Sequence, residues 1–253
     1  MLSTTGPGGI GGTQTPWGLW ATVGLSLIVS IVFLTLSAAV AACFAAVAYF
    51  NNPEVNMTEL AESLQSNGFF LSIATCVTSA FCLGLTVLFA RLRKGLTVKE
   101  YLALNGVPRK VLLTWLLLLM LFIACSDGFT LLLGRPIITD IMVNAYETAH
   151  LVSLLWIAIV VVAPLFEEAF VRGFIFRGIQ QSKLGNIGAV VITALLWSSI
   201  HIQYDIYDRA RILASGILIG IARLRSESLY LAIAMHSTMN LIGMIQVRVY
   251  IGW

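Results

Sequence analysis

The chain has 253 residues, of which 58% are hydrophobic and only 11% are charged, with a formal net charge of +3 and a mean hydropathy of +0.92. This composition excludes an ordinary soluble domain and a disordered chain, because both need far more polar surface. It is typical of a polytopic membrane protein.

Long apolar segments recur along the whole sequence. A spanning helix needs about 20 mainly apolar residues, and about seven segments qualify, with six or eight spans also compatible. The predicted fold class is therefore all-α, a polytopic transmembrane helical bundle. The first segment is long for one crossing and the sixth is short, so a tilt, a break or an interfacial piece is expected at either. The predicted spans are 17–50, 69–90, 110–134, 151–178, 187–203, 209–222 and 228–247.

The N-terminus and the cysteines carry no sign of chemistry. Residues 1–16 are rich in glycine and have no charged side chain, and they are predicted to form a flexible tail. The cysteines fall inside predicted spans without metal-type spacing, so they are interpreted as small hydrophobic residues. They are Cys43, Cys76, Cys82 and Cys125.

Charge in the short loops predicts the orientation. Segment 91–110 carries six basic residues against one acid, Glu100, whereas segment 51–68 carries three glutamates and no base. The basic segment is predicted to be cytoplasmic, in a bacterial-type plasma membrane. A basic loop could also bind nucleic acid, but topology explains it better. The predicted partners are therefore membrane lipid and a peptide or protein substrate, without nucleic acid.

A few polar residues remain inside the apolar segments. Ionisable groups are costly in a membrane unless they are paired or hydrated, so a cluster of them predicts function. Asp127, near the outer end of the third span, is interpreted as a solvated helix terminus. The others are Glu167, Glu168 and Arg172 in the fourth span, His201 in the fifth, and His236 and Asn240 in the seventh.

The spacing of the fourth-span charges separates the two glutamates. Glu168 and Arg172 stand four residues apart with the acid first, which favours an ion pair on one helix face. Glu167 is rotated by about 100° from Glu168 and points to another neighbour, which makes it a candidate general base. A purely structural cluster of all three charges remains an alternative. If this helix continues to about residue 178, Glu167 lies at mid-depth, level with His201.

The two later spans repeat the four-residue spacing. Trp197 lies one turn before His201 and can orient its ring, while His236 and Asn240 share one helix face. Imidazole can hold or relay a proton, and an amide N–H can donate to an oxyanion. A base, a second proton-handling group and two donors are the groups that water-mediated amide cleavage requires.

These residues resemble the CAAX prenyl protease and bacteriocin-processing family of intramembrane proteases, known as CPBP or Abi. Its motifs are Glu-Glu-x-x-x-Arg, Phe-x-x-x-His and His-x-x-x-Asn on successive helices. The resemblance covers residues 150–247 and extends to Gly173, but Trp197 stands where phenylalanine is usual. Segment 150–253 is therefore the predicted catalytic core, and segment 17–149 carries helices without an assigned motif.

The resemblance implies a glutamate-dependent endopeptidase that needs no cofactor. In it Glu167, assisted by His201, activates a water, and His236 with Asn240 stabilises the oxyanion. Glu168 and Arg172 form a structural ion pair that supports the site. Prenylated CAAX-type peptides and bacteriocin-like peptides are the substrate types implied. The nearby serines do not resemble a nucleophile elbow and are interpreted as packing hydroxyls: Ser198, Ser199 and Ser237.

Three alternatives stay open at this point. Glu167, His201 and His236 could bind a catalytic zinc ion, although the sequence has no His-Glu-x-x-His helix. An ion-coupled transporter could use intramembrane acids and histidines, but would favour matched broken helices in two halves. A non-enzymatic membrane scaffold or immunity factor could share the same fold.

Overall fold

The computed structural model describes residues 15–252 and is built almost entirely from helices. No β-strand occurs within those residues, so the predicted all-α class is confirmed. Of the predicted N-terminal tail, residues 1–14 lie outside the described part of the chain.

Seven long helices follow the seven predicted segments closely. By length and composition, the first four of them are able to cross a membrane, and the fifth is a shorter apolar helix. The count of seven crossings stays a prediction, whereas the helical membrane bundle agrees with the structure. The long helices are α1 (Leu19–Asn51), α3 (Gly68–Leu92), α5 (Arg109–Leu132), α7 (Val152–Gln180), α8 (Gly185–Ser199), α9 (Ile206–Ser226) and α10 (Leu229–Ile251).

Three short helices in the connecting loops complete the order: α2 (Met57–Leu64), α4 (Val98–Leu102) and α6 (Asp140–Glu147). These helices were not predicted, although two of them carry clear start signals in the sequence. The side chain of Asn56 caps α2 by accepting from two backbone N–H groups. Thr97 and Glu100 form a reciprocal capping box at α4. Hydrogen bonds from the backbone N–H and hydroxyl of Thr97 lower the pKa of Glu100.

Helix α7 is continuous to Gln180, so the expectation that it extends past the arginine is confirmed. Arg172 and Phe174 are both 0% exposed. Arg172 therefore lies inside the bundle and not in a cytoplasmic loop. A buried guanidinium at this position needs a partner within the protein.

The motif-free helices and the motif-bearing helices share one hydrophobic core. The ring of Phe33 on α1 stacks on Phe166 of α7 with a centroid distance of 5.9 Å. The backbone N–H of Leu229 donates to the carbonyl of Ala103 at 2.9 Å. The same buried cluster includes Val29, Cys82, Phe89, Tyr101, Leu102, Phe166, Ala169, Phe174 and Leu229. The helices before residue 150 therefore form part of the wall around the motif-bearing region.

Asp127 is not a solvated terminus, and that interpretation was wrong. Its carboxylate forms a salt bridge with Arg211 of α9 and accepts a hydrogen bond from the Gln246 side chain of α10 at 2.8 Å. Sequence spacing could not reveal these partners because they come from helices more than 80 residues away. The contacts join α5, α9 and α10 at one end of the bundle.

Candidate active site

Two π-helical segments in α7 flank the paired glutamates. They span Ala158–Val162 and Ala169–Ile175, on either side of a short α-helical stretch that ends at Glu168. Such segments widen a helix by one residue per turn and occur often at functional sites. Glu167 and Glu168 therefore lie on a helix whose hydrogen-bond pattern changes on both sides of them.

Pro164 explains the first π segment. Proline has no N–H and cannot continue the α-helical hydrogen bonds. The N–H of Ala163 instead donates to Ala158, five residues back, so the carbonyl of Ile159 loses its usual helical donor. The side-chain amide of Asn240 donates to that carbonyl at 2.8 Å. The irregularity of α7 thus fixes the position of Asn240 on α10.

Glu168 lies at the centre of a buried polar cluster. Its Oε1 accepts from the Arg172 guanidinium at 3.1 Å, so the expected salt bridge is present, and both side chains are 0% exposed. The same oxygen is 2.9 Å from Nδ1 of His236. A second guanidinium nitrogen of Arg172 donates to the carbonyl of Gly216 at 3.4 Å. Glu168 therefore links α7 to α10 and, through Arg172, to α9.

Glu167 has a different neighbour, as the helical rotation predicted, but it is not unpaired. The indole N–H of Trp197 on α8 donates to Oε2 of Glu167 at 2.6 Å. The contact joins α7 to α8 across the site. The guanidinium of Arg172 lies over the face of the same indole, 4.7 Å from the ring centroid. One aromatic side chain therefore separates the Glu167 carboxylate from the basic group that binds Glu168.

His201 was predicted inside the fifth span, but α8 ends at Ser199 and His201 lies in the loop that follows it. Its ring packs against Trp197, with a centroid distance of 5.3 Å. Its Nδ1 lies 2.7 Å from the backbone carbonyl of Trp197. Because a carbonyl oxygen can only accept, Nδ1 carries the proton in this contact and Nε2 of the neutral ring keeps a free lone pair. The orientation of His201 therefore leaves a proton acceptor.

His236 also packs against Trp197, with a ring centroid distance of 4.9 Å. Its Nδ1 is engaged by the Glu168 carboxylate, so Nε2 is the nitrogen that remains for other partners. Carboxylate contacts of this kind set the orientation and tautomer of a histidine. The structure thus brings both glutamates, both histidines, Arg172 and Trp197 into one group.

Gly216 of α9 permits this packing. A Cβ atom there would lie 3.0 Å from Cε3 of Trp197 and 3.2 Å from a guanidinium nitrogen of Arg172. Gly220, one turn further, faces Val190 in the same way. Both glycines therefore allow α9 to pack closely against its neighbours.

A bulkier residue at position 216 is expected to disturb the whole site. Gly216→Val should destabilise the protein by about 1 to 3 kcal/mol, because the added methyl groups displace the indole and the guanidinium. Thermal unfolding and the cleavage rate should both show the loss. Gly84→Val is the matched control, since a Cβ at Gly84 meets nothing within 4 Å. Equal melting temperatures for the two variants would contradict this account.

A polar cavity of about 300 Å³ lies beside the loop that carries His201. Tyr204 lines this cavity, and its ring stacks on the imidazole of His201 at a centroid distance of 6.3 Å. Asp205 at its edge caps α9, and the N–H of Asp208 and the Arg135 side chain lower the pKa of Asp205. The cavity brings a polar surface close to His201 at one end of the bundle.

Comparison with protein families supports the same segment. Residues 149–242 match the family model described as type II CAAX prenyl endopeptidase Rce1-like. This segment is similar to the type II CAAX prenyl endopeptidases. No curated protein and no solved structure matches the chain. The match agrees with the resemblance drawn from the three motifs over residues 150–247, and the family is one of membrane-embedded proteases.

The Rce1-like segment does not gather its acids and histidines into a ligand cluster. Among residues 15–252, no three His, Cys, Asp or Glu side chains converge closely enough to hold a metal ion. Glu167, His201 and His236, which the zinc alternative required, are instead arranged around the Trp197 indole.

Two neighbouring serines near the end of α8 have backbone partners. The hydroxyl of Ser198 donates to the carbonyl of Arg209 at 2.6 Å, and that of Ser199 donates to Leu195 at 2.7 Å. The first contact joins α8 to α9, and the second lies within α8. Both are typical of hydroxyls that support helix packing in membranes.

Three features of this site were not predicted from the sequence. The π segments were not predicted, although Pro164 inside the apolar run was a usable signal. Nor was it predicted that Glu168 also binds His236, or that Trp197 donates to Glu167. No spacing rule could have found these contacts, because they join residues that lie 68 and 30 positions apart.

Proposed function

We propose that the chain is an intramembrane endopeptidase that hydrolyses a peptide bond with a water activated by Glu167. The observation that carries this proposal is that the two glutamates have different hydrogen-bond and salt-bridge partners. Glu168 is neutralised by Arg172 and bound to His236, whereas Glu167 accepts only a neutral indole N–H among the described hydrogen bonds and salt bridges. A carboxylate without a cationic partner keeps its capacity to accept a proton.

His201 supports the same step. With Nδ1 held by the carbonyl of Trp197, its Nε2 lone pair can accept from the water that also donates to Glu167. Two acceptors on one water direct its remaining lone pairs toward the scissile carbonyl carbon. The water oxygen forms the new C–O bond, and its proton passes to the carboxylate. That proton then goes to the leaving amine nitrogen as the C–N bond breaks.

His236 and Asn240 are the proposed oxyanion donors. The amide of Asn240 has two N–H groups, of which one is used by the carbonyl of Ile159 and the other remains for the substrate oxygen. When both ring nitrogens of His236 carry a hydrogen, Nε2 donates to the oxyanion while the Glu168 carboxylate holds Nδ1. Glu168 and Arg172 thereby act as the supporting ion pair.

The proposed substrates are CAAX-type prenylated or bacteriocin-like peptides that reach the site from the membrane. Residues 150–253 carry the chemistry and residues 17–149 enclose it. The basic loop 91–110 is proposed to be cytoplasmic in a bacterial-type plasma membrane. Nearby contacts support a single basic end, because Arg177 donates to the carbonyls of Glu100 and Tyr101 at 3.3 Å each. Nucleic acid is not a proposed partner.

Purified protein in detergent tests the proposal directly. Matched peptide reporters with and without a prenyl group should be incubated with it, and the products identified by mass spectrometry. Cleavage at one internal bond, absent when Glu167 is replaced by glutamine, is the expected result. Protein that is folded and inserted but cleaves neither reporter, in detergent or in lipid vesicles, would favour a non-enzymatic role.

Chelation is a separate test of the mechanism. EDTA or phenanthroline should leave the cleavage rate almost unchanged, because a carboxylate activates the water in this proposal and no Lewis acid is needed. Progress curves with and without chelator, on the same preparation, provide the measurement. Loss of activity on chelation that returns on adding zinc would overturn the metal-free mechanism.

A further inference from the structure

Trp197 is the residue through which the site is organised. Its side chain is 1% exposed, and its ring contacts both histidines, with the Arg172 guanidinium over its face. Its indole N–H donates to Oε2 of Glu167 at 2.6 Å. Phenylalanine, the usual residue at this point of the family motif, could fill much of the same space but has no hydrogen to donate.

We propose that Trp197 is a positioning residue, whose indole N–H holds one oxygen of the Glu167 carboxylate so that the other oxygen faces the attacking water. This inference rests on the proposed function of Glu167. A glutamate side chain has several rotatable bonds, and losing their freedom costs free energy each time the carboxylate must be aligned. A short hydrogen bond to a charged acceptor is among the stronger ones in proteins.

The surroundings of Trp197 keep the donor in place. Its ring cannot swing toward α9 because it already lies against Gly216, where even a Cβ would be only 3.0 Å away. The guanidinium of Arg172 holds the ring face at 4.7 Å and is itself bound to Glu168. The direction of the N–H is therefore set by the same buried ion pair that orients His236. In this chain the indole of Trp197 therefore fits because position 216 is a glycine.

The most specific test removes the indole N–H of Trp197 without changing the shape of the side chain. A tryptophan isostere with sulfur in place of the indole N–H, introduced at position 197 by codon suppression, keeps the volume and removes the donor. We expect kcat to fall about 10- to 100-fold, the loss typical of a hydrogen bond to a charged group. KM should stay at its wild-type value, because the ring is buried. The melting temperature should fall only by the contribution of one buried hydrogen bond. Trp197→Phe should lose kcat in the same way, with some loss of stability from the smaller ring.

Glu167→Gln assayed in parallel separates this inference from the proposed function. Undiminished turnover in Glu167→Gln would contradict the proposed function. A dead Glu167→Gln together with a fully active isostere would contradict only the role of Trp197. An isostere that changes KM or stability and leaves kcat unchanged would also overturn the positioning role.

The hydrogen bond itself has a spectroscopic signature that does not depend on activity. The indole N–H resonance of Trp197, assigned by its loss in Trp197→Phe, should lie downfield and move upfield in Glu167→Gln. Trp17 is an internal control, because its indole N–H donates to the carbonyl of Phe89 at 2.9 Å and does not contact Glu167. A Trp197 resonance that stays in place when Glu167 is changed would refute the contact.

Discussion

Glu167→Gln is expected to abolish cleavage while the protein remains folded and inserted in the membrane. Glutamine keeps the size of the side chain, and its amide oxygen can still accept from the Trp197 indole. It cannot take a proton from water. Loss of a general base typically costs about 10² to 10⁴ in rate. The cleavage rate and a thermal unfolding curve on one preparation provide the measurement.

Two comparisons make this result specific. Glu147→Gln changes an exposed acid on the short helix α6 and should cleave like the wild type. No second change at Arg172 should rescue Glu167→Gln, because the arginine is paired with the other glutamate. If Glu167→Gln cleaves normally while Glu168→Gln is stable and inactive, the roles of the two glutamates are the reverse of those proposed.

Glu168→Gln should mainly lower the stability of the folded protein. It removes the charge that binds the fully buried guanidinium of Arg172. A buried charge stripped of its partner can cost about 3 to 5 kcal/mol. The expected signature is poor expression or a lowered melting temperature. Because Glu168 also holds Nδ1 of His236, the protein that survives should cleave more slowly than the wild type without being inactive.

The double variant Glu168→Gln with Arg172→Met separates the two effects. It removes both buried charges, so part of the lost stability should return. The cleavage rate should not return with it, because His236 still lacks its carboxylate partner. Thermal shift curves and rates for the wild type, both single variants and the double variant complete the cycle. A single Glu168→Gln variant that melts like the wild type would contradict the assignment of the ion pair.

Much of the fold was predictable because a membrane restricts the available structures. Apolar segments of about 20 residues have few alternatives to a helix in lipid, where each backbone polar group must be satisfied within the segment. All seven predicted segments correspond to helices. The short loop helices were missed because they are too brief for a periodic pattern, although the cap at Asn56 and the capping box at Thr97 were readable signals.

Only the contacts of the site that lie within a single helix could be predicted from the sequence. The pair of Glu168 and Arg172 follows from the four-residue spacing, and the pair is present. The rotation of Glu167 toward another neighbour also follows from helical geometry. The identity of that neighbour does not, because Trp197 comes from a different helix and its tip is placed by tertiary packing.

The sequence by itself determined that the chain is a bundle of apolar helices, that three short motifs place ionisable residues inside apolar segments, and that these motifs resemble CAAX proteases. Periodicity and composition are local properties, and they carry this information without any knowledge of the packing. The tertiary structure alone decided how the motifs meet. Contacts between helices placed Glu168 on His236, the indole of Trp197 on Glu167, and Asn240 on the carbonyl released by the π segment before Pro164. The rotation and depth of each helix decide which donors and acceptors face one another across the bundle. A close helix contact such as that at Gly216 permits only one such packing of the helices.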